Sequence, residues 1–126
     1  DAAEAHLNFD PVHLAVVDEV GNPATKIMSG GVLAELLNHV DIQAGAVDYV
    51  GGIPLTSASP VSGRIVLATL RLKALSAAQQ TDLTFAMTPV RRTNVVSGGA
   101  PILERHTDGR VRVVAPWQIL PVTMKP

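Results

Sequence analysis

The sequence predicts an all-β fold, a sandwich of two sheets in a single domain. Three observations predict it. Several short segments alternate apolar and polar residues with a period of two, as a strand with one buried face must. Ten glycines and nine prolines are spread along the chain and punctuate those segments, the pattern of short strands joined by turns. Hydrophobic residues make up 47% of the 126 residues, enough for one core in a chain of single-domain length. Aromatics are only 3%, so Val, Leu, Ile and Ala must supply that core.

Residues 3–9 alternate cleanly, with Ala3, Ala5, Leu7 and Phe9 on the inward side and Glu4, His6 and Asn8 on the outward side. Asp10-Pro11 ends this strand, because proline fixes φ and Asp bonds the backbone two residues on. Leu14 to Val17 is a short strand, and residues 18–23 are a polar turn. Residues 32–37 fit either a short helix or a buried strand, and 38–41 read as a loop or a strand end. Residues 46–50 form a strand with Val47 and Tyr49 inward, ended by Gly51-Gly52. A loop with two prolines and three serines fills 53–62.

The longest strand spans residues 63–74, and the chain is organised around it. Val66, Ala68, Leu70 and Leu72 form its apolar side. Ile65, Leu67, Thr69, Arg71 and Lys73 form the side that faces water or a partner. Thr81 to Met87 alternates again, with Leu83, Phe85 and Met87 inward and Asp82, Thr84 and Ala86 outward. Pro89 to Thr93 is a turn carrying Arg91 and Arg92. A short strand at 94–96 and a loop at 97–101 follow. Asp108-Gly109 reads as a hairpin-type turn before a strand at 110–114. Residues 1–114 are thus the sandwich domain. Residues 115–126, with three prolines, are a tail or an edge strand, because proline cannot donate to a central ladder. The expected core is Leu7, Phe9, Val47, Tyr49, Val66, Ala68, Leu70, Leu72, Leu83, Phe85, Val111 and Val113.

Composition narrows the function. A formal net charge of −1 gives no electrostatic case for nucleic acid or an anionic membrane. No apolar run approaches the ~20 residues of a membrane span. The absence of cysteine excludes disulfides, thiolate zinc sites and Cys nucleophiles. The four histidines show neither i, i+4 nor His-x-His spacing, so no zinc site is expected. Asp10, Asp18, Asp41 and Asp48 are scattered, and loop oxygens among them leave a calcium site open. No Gly-x-Ser-x-Gly elbow occurs, and no carboxylate pair stands out among the eleven acids. The chain reads as a non-enzyme without a cofactor or a metal. No signal peptide is expected within these residues. It begins at Asp1 inside a strand-like pattern, so an upstream segment is expected to have been removed.

Four stretches, in order, resemble cohesin domains. Leu7-Asn8-Phe9-Asp10-Pro11 followed by Leu14 and Val16-Val17 is similar to the aromatic-Asp-Pro-then-Leu signature early in that family. Ser62 to Ala74 is similar to its glycine-led alternating strand. Thr81-Asp82-Leu83-Thr84-Phe85 resembles the strand that follows, and Asp108-Gly109-Arg110-Val111-Arg112-Val113 the closing one. Order and spacing agree over residues 3–114.

The resemblance implies a jelly-roll β-sandwich that is not catalytic and that binds dockerin modules through one sheet face. Glu4, His6, Asn8, Asp48, Leu67, Thr69 and Arg71 fall on that face, around an apolar centre of Leu67, Ile65 and Val50. Two departures follow. Cohesins carry one or two strands ahead of the Phe-Asp-Pro segment, whereas two residues precede the first strand here. The chain is then truncated, or the tail or a neighbouring chain fills the gap, and strand exchange or dimerisation becomes an expectation. An Asn and an Asp that contact dockerin in the best-known subgroup are matched here by Ala2 and Glu4. The carboxylate is kept in kind and the amide is lost.

The implied setting is extracellular or on a bacterial cell surface, with polysaccharide reached through the parent protein. Two other functions are compatible with a β-sandwich. A carbohydrate-binding module needs an exposed aromatic platform, and Phe9, Tyr49 and Phe85 all fall inward, which leaves only Trp117. A structural spacer needs no ligand.

Overall fold

A computed structural model describes residues 1–54 and 61–114, and every regular element among them is a strand. Strand β1 (Ala2–Asn8) is central. It pairs antiparallel with β5 (Ala46–Gly52) on one side, and β5 pairs with the edge strand β4 (Ala34–Asp41). The other side of β1 is shared. Its first half pairs with β9 (Asn94–Ser97), and its last residues pair with β8 (Ala78–Phe85). A tight turn at Gly98-Gly99 returns β9 into the short β10 (Ala100–Pro101), and β11 (Gly109–Val113) pairs with β8. Two smaller pairs complete the all-β sandwich: β2 (Leu14–Val17) with β7 (Arg71–Ala74), and β3 (Met28–Ser29) with β6 (Ala68–Thr69).

The core lies where the inward residues of β1, β5 and β4 meet β2 and β7. Phe9, Leu14, Val16, Ala24, Val40 and Val47 form its buried cluster. Leu7, Ile27, Ile42, Leu72, Leu83, Val111 and Val113 pack against it. Val47 and Tyr49 are each 1% exposed, as their alternation predicts. Tyr49 keeps its hydroxyl satisfied by donating to Ser29 Oγ at 2.8 Å. The strands over 3–9, 14–17, 46–50, 94–96 and 110–114 stand where the sequence places them.

Several expectations are corrected. Of the two readings open for residues 32–37, the strand holds: β4 runs through Ala34–Asp41, with residues 32 and 33 outside it, and no loop interrupts 38–41. β4 is an edge strand, so Leu36 and Leu37 are exposed rather than buried. Part of its outer side is covered: Val40 N–H donates to the Thr25 carbonyl, and the Asn38 side chain bonds both backbone groups of Ile27. Gly51 and Gly52 continue β5 instead of ending it. A Cβ on Gly51 would lie 2.9 Å from Leu33 Cβ and 3.3 Å from Leu67 Cδ1, so the glycine makes room for two side chains rather than for a turn.

Residues 63–74 are not one strand. The regular structure is confined to β6 and β7, separated at Leu70, because the segment changes partner from β3 to β2 there. From Ala68 to Leu72 the predicted alternation holds. Before it the phase inverts: Val66 is 60% exposed. Ile65 and Leu67 turn inward and line an apolar cavity of about 570 Å3 with Ala3, Leu33 and Val95. The Gly30 N–H, bonded to the Leu67 carbonyl at 2.9 Å, holds that register.

A second inversion follows β8. Ala86 is buried and Met87 exposed, because Ala86 N–H donates to the His6 carbonyl and the chain then leaves the sheet. Asp108-Gly109 makes no hairpin, since β11 pairs with β8 across the intervening β9 and β10. Asp108 instead accepts the Phe85 N–H at 2.9 Å. Phe85, Ala68, Leu70, Leu72, Leu83, Val111 and Val113 are half-buried, so the core is smaller than expected on that flank. The tail 115–126, with Trp117, lies outside the described residues.

Candidate interaction face

The outward sides of β1 and β5 form one continuous surface. Antiparallel register places residues of neighbouring strands side by side on one face. Asn94, Glu4, Val50 and Leu37 make one row across four strands. His6, Asp48 and His39 make the next. Asn8 stands at the end of β1 opposite Ala46.

A polar network ties the middle of this face together. His6 Nδ1 donates to Asp48 Oδ1 at 2.7 Å, and His6 Nε2 lies 3.4 Å from Glu4 Oε2. Arg91 comes from the excursion 87–92, which leaves the sheet between β8 and β9. Its Nε donates to the same Asp48 oxygen at 2.7 Å. One terminal nitrogen donates to Asn8 Oδ1. The other donates to the carbonyls of Leu7 at 2.9 Å and Val47 at 3.4 Å. Leu7 and Val47 are register partners on β1 and β5, so the planar fork of the guanidinium straddles the two strands, a geometry that an ammonium cannot copy. The neck of the excursion is closed by Thr93. Its hydroxyl accepts the His6 N–H and donates to the His6 carbonyl, both at 3.1 Å.

This arrangement changes the reading of two groups. His6, predicted outward on the surface, is on the outward side of β1 but only 7% exposed, because Thr93 and Arg91 close over it. Both ring nitrogens face carboxylates, and the Thr93 hydroxyl is bonded to backbone. The cluster therefore cross-links β1, β5 and the 87–92 excursion. Burial alone would raise the Asp48 carboxyl. The hydrogen bonds from His6 and Arg91 and the guanidinium charge outweigh it, and the pKa is held below the ordinary carboxylate value.

A depressed folded-state pKa contributes stability that is present above the unfolded pKa and is lost as pH falls through the folded one. Part of the acid limb, below about pH 4, is therefore assigned to Asp48. Asp48→Asn is expected to lower stability at neutral pH and to flatten that limb in urea titrations run at successive pH values. An unchanged limb would contradict the assignment.

The predicted site residues divide. Glu4, His6, Asn8 and Asp48 come together. Leu67, Thr69 and Arg71 do not join them. Leu67 is turned inward over Gly51. Thr69 and Arg71 lie on β6 and β7 and line a separate groove of about 300 Å3 with Ile27, Met28 and Glu19. Arg71 donates to the Glu19 carbonyl there at 2.9 Å. The sequence reading did not bring Arg91, Asn94, Leu37 or His39 to the face. The adjacent arginines of a Pro-bounded turn were visible, but the partners of Arg91 lie 43 to 84 residues back in the chain.

The acids weighed for calcium have other work. Asp10, Asp18 and Asp41 each accept backbone N–H groups of their own turns. Among the described residues, no three His, Asp or Glu side chains converge on a metal position. Phe9 and Tyr49 are buried, and half-buried Phe85 packs against the His106 ring with centroids 5.6 Å apart.

No family model matches the sequence, and no curated protein does. Solved structures match over most of the chain. A type II cohesin domain from the cellulosome of Acetivibrio cellulolyticus is 17% identical, with a TM-score of 0.68 over 87% of this chain and 76% of that one. The fold is cohesin-like. The third cohesin of ScaC from the same organism, solved in complex with the ScaB dockerin, is 19% identical with a TM-score of 0.69 over 90% of this chain and 78% of that one. A type II cohesin dyad from the adaptor scaffoldin ScaA is 16% identical with a TM-score of 0.69 over 89% of this chain. The chain spans 39% of the dyad's length.

Proposed function

We propose that this cohesin-like domain is a non-catalytic protein-interaction module, that its partner is a dockerin-like module, and that it works outside the cell or on its surface. The observation that carries the reading is the pairing of a cohesin-like fold with a braced outward face on β1 and β5. A solved structure of the same fold is a cohesin in complex with a dockerin. The face has the make-up of a recognition surface. Half-buried Val50 and Val96 and exposed Leu37 supply apolar area beside Glu4, Asn8 and Asn94, and buried apolar contacts ringed by polar groups carry most interface energy. The Glu4–His6–Asp48–Arg91 network holds those groups in place before binding, which lowers the cost of ordering them.

The test is calorimetric titration of the chain with calcium-loaded dockerin modules, together with capture from the secreted proteome with and without calcium. Calcium-dependent binding that falls at least about tenfold in a Glu4→Lys/Val50→Lys variant is expected, since an interface-centre change costs roughly 1–4 kcal/mol. Binding that survives that variant removes the face from the site. Capture on insoluble polysaccharide instead, without a protein partner, would replace the reading with a carbohydrate-binding one.

A further inference from the structure

One extra residue in β4 reshapes the open half of the outward face. In the β4–β5 pairing, Glu35 stands opposite Gly51 and Leu37 opposite Val50. Leu36 is therefore a bulged residue. Consecutive residues of a regular strand point to opposite faces, and a bulge re-aims one of them. Leu37 shares the outward side with Val50 and Glu4. Leu36 joins it there. Its Cδ1 lies 2.8 Å from the place of a Cβ on Gly52, whereas a Cβ on Gly51 would meet the inward Leu33 and Leu67. Two leucines thus stand side by side on one face, 66% and 45% exposed. The face is also acidic. Strands β1, β4, β5 and β9 carry Glu4, Glu35, Asp41 and Asp48 and no Lys or Arg. Arg91 neutralises Asp48. The Glu4 side chain is 41% exposed, and among the described residues its carboxylate faces only His6 Nε2, at 3.4 Å.

We infer that the Leu36–Leu37 bulge is the specificity-determining part of this face, and that a protein partner docks on it with an aliphatic side chain flanked by a Lys or Arg aimed at Glu4. The inference rests on the reading of the β1–β5 face as the interaction face, and it names the chemistry that face selects. Apolar anchors near the centre of an interface carry most of its energy, and the bulge sets such a pair beside Val50. A cation brought to Glu4 adds register, and an acid in its place is rejected. A second copy of this chain fits poorly, because docking face to face sets acid against acid.

The probe is n-hexylammonium, an alkyl chain ending in a cation, compared with hexanoate, which has the same carbon count and ends in a carboxylate. Each is titrated into the full chain and followed by NMR of backbone amides and methyl groups. Hexylammonium is expected to shift Glu4, Leu36, Leu37 and Val50 as one cluster. Hexanoate should bind there about threefold more weakly, the scale of an exposed ion pair. Leu36→Ser/Leu37→Ser should weaken hexylammonium binding at least about fivefold, from the apolar area no longer covered. Glu4→Gln should erase the preference for the cation. Val90→Ser removes a lone valine of the 87–92 excursion, 93% exposed, and should change nothing. The inference is overturned if the shifts scatter without that cluster, if the two probes bind equally, or if the double serine variant binds as the parent does. Calcium-loaded dockerin modules separate it from the preceding reading. Binding lost in Glu4→Lys/Val50→Lys but kept in Leu36→Ser/Leu37→Ser overturns the role of the bulge and leaves the face. Hexylammonium on the bulge with no dockerin binding upholds the bulge and removes only the dockerin partner.

Discussion

Arg91→Ala should lower stability by about 2 kcal/mol, less than the ~3–5 kcal/mol of breaking a fully buried ion pair. The discount follows from the geometry: the Arg91 and Asp48 side chains are 26% and 20% exposed. The variant removes the guanidinium donors that hold Asp48, Asn8 and two carbonyls. It leaves Asp48 half-buried with only His6 as a side-chain partner. In urea unfolding the midpoint should fall by roughly 1 M, given slopes of ~1–3 kcal/mol/M for small domains. Arg91→Lys should recover less than half of the loss, because a lysine restores charge but not the two-strand fork. Equal midpoints for Arg91→Ala and the parent would mean that the excursion 87–92 does not brace the face.

Gly45→Ala is the other large effect, about 3 kcal/mol from backbone strain and overpacking together. Gly45 has φ +70, and a Cβ there would sit 2.1 Å from the Phe9 carbonyl oxygen and 2.9 Å from Pro11 Cδ. Neither neighbour can retreat easily. Phe9 is buried in the core cluster, and its N–H donates to the Gly45 carbonyl at 2.8 Å. Gly99→Ala separates the two causes. It has φ +79 but open space around the new Cβ, so only the conformational term of roughly 1 kcal/mol applies. If the two variants unfold at the same urea concentration, the contact with Phe9 is not limiting.

These sites show how far local pattern reaches. The alternation in residues 3–9 identified β1 and its two sides, because a strand with one buried face must repeat every second residue. The same rule placed Val47 and Tyr49 inward. It failed before Ala68, where the phase inverts and Val66 is exposed, and it gave one strand where there are two. Residues 63–74 carry an unbroken apolar alternation, yet the segment passes from β3 to β2 at Leu70, and nothing local marks that exchange. It failed again at Ala86, where a backbone bond to His6 redirects the chain. His6 itself was legible as outward. Its burial was not, since it depends on Thr93, eighty-seven positions away.

By itself the sequence determined the all-β class, the order of most strands and the cohesin likeness. Those properties rest on periodicity, turn residues and short motifs, which are local. Tertiary structure alone decided which outward residues meet. It joined Glu4, His6, Asn8 and Asp48 under Arg91 and separated Leu67, Thr69 and Arg71 from them. Strand register and the path of the 87–92 excursion set those neighbours, and both are fixed by pairing between distant segments as the core is buried.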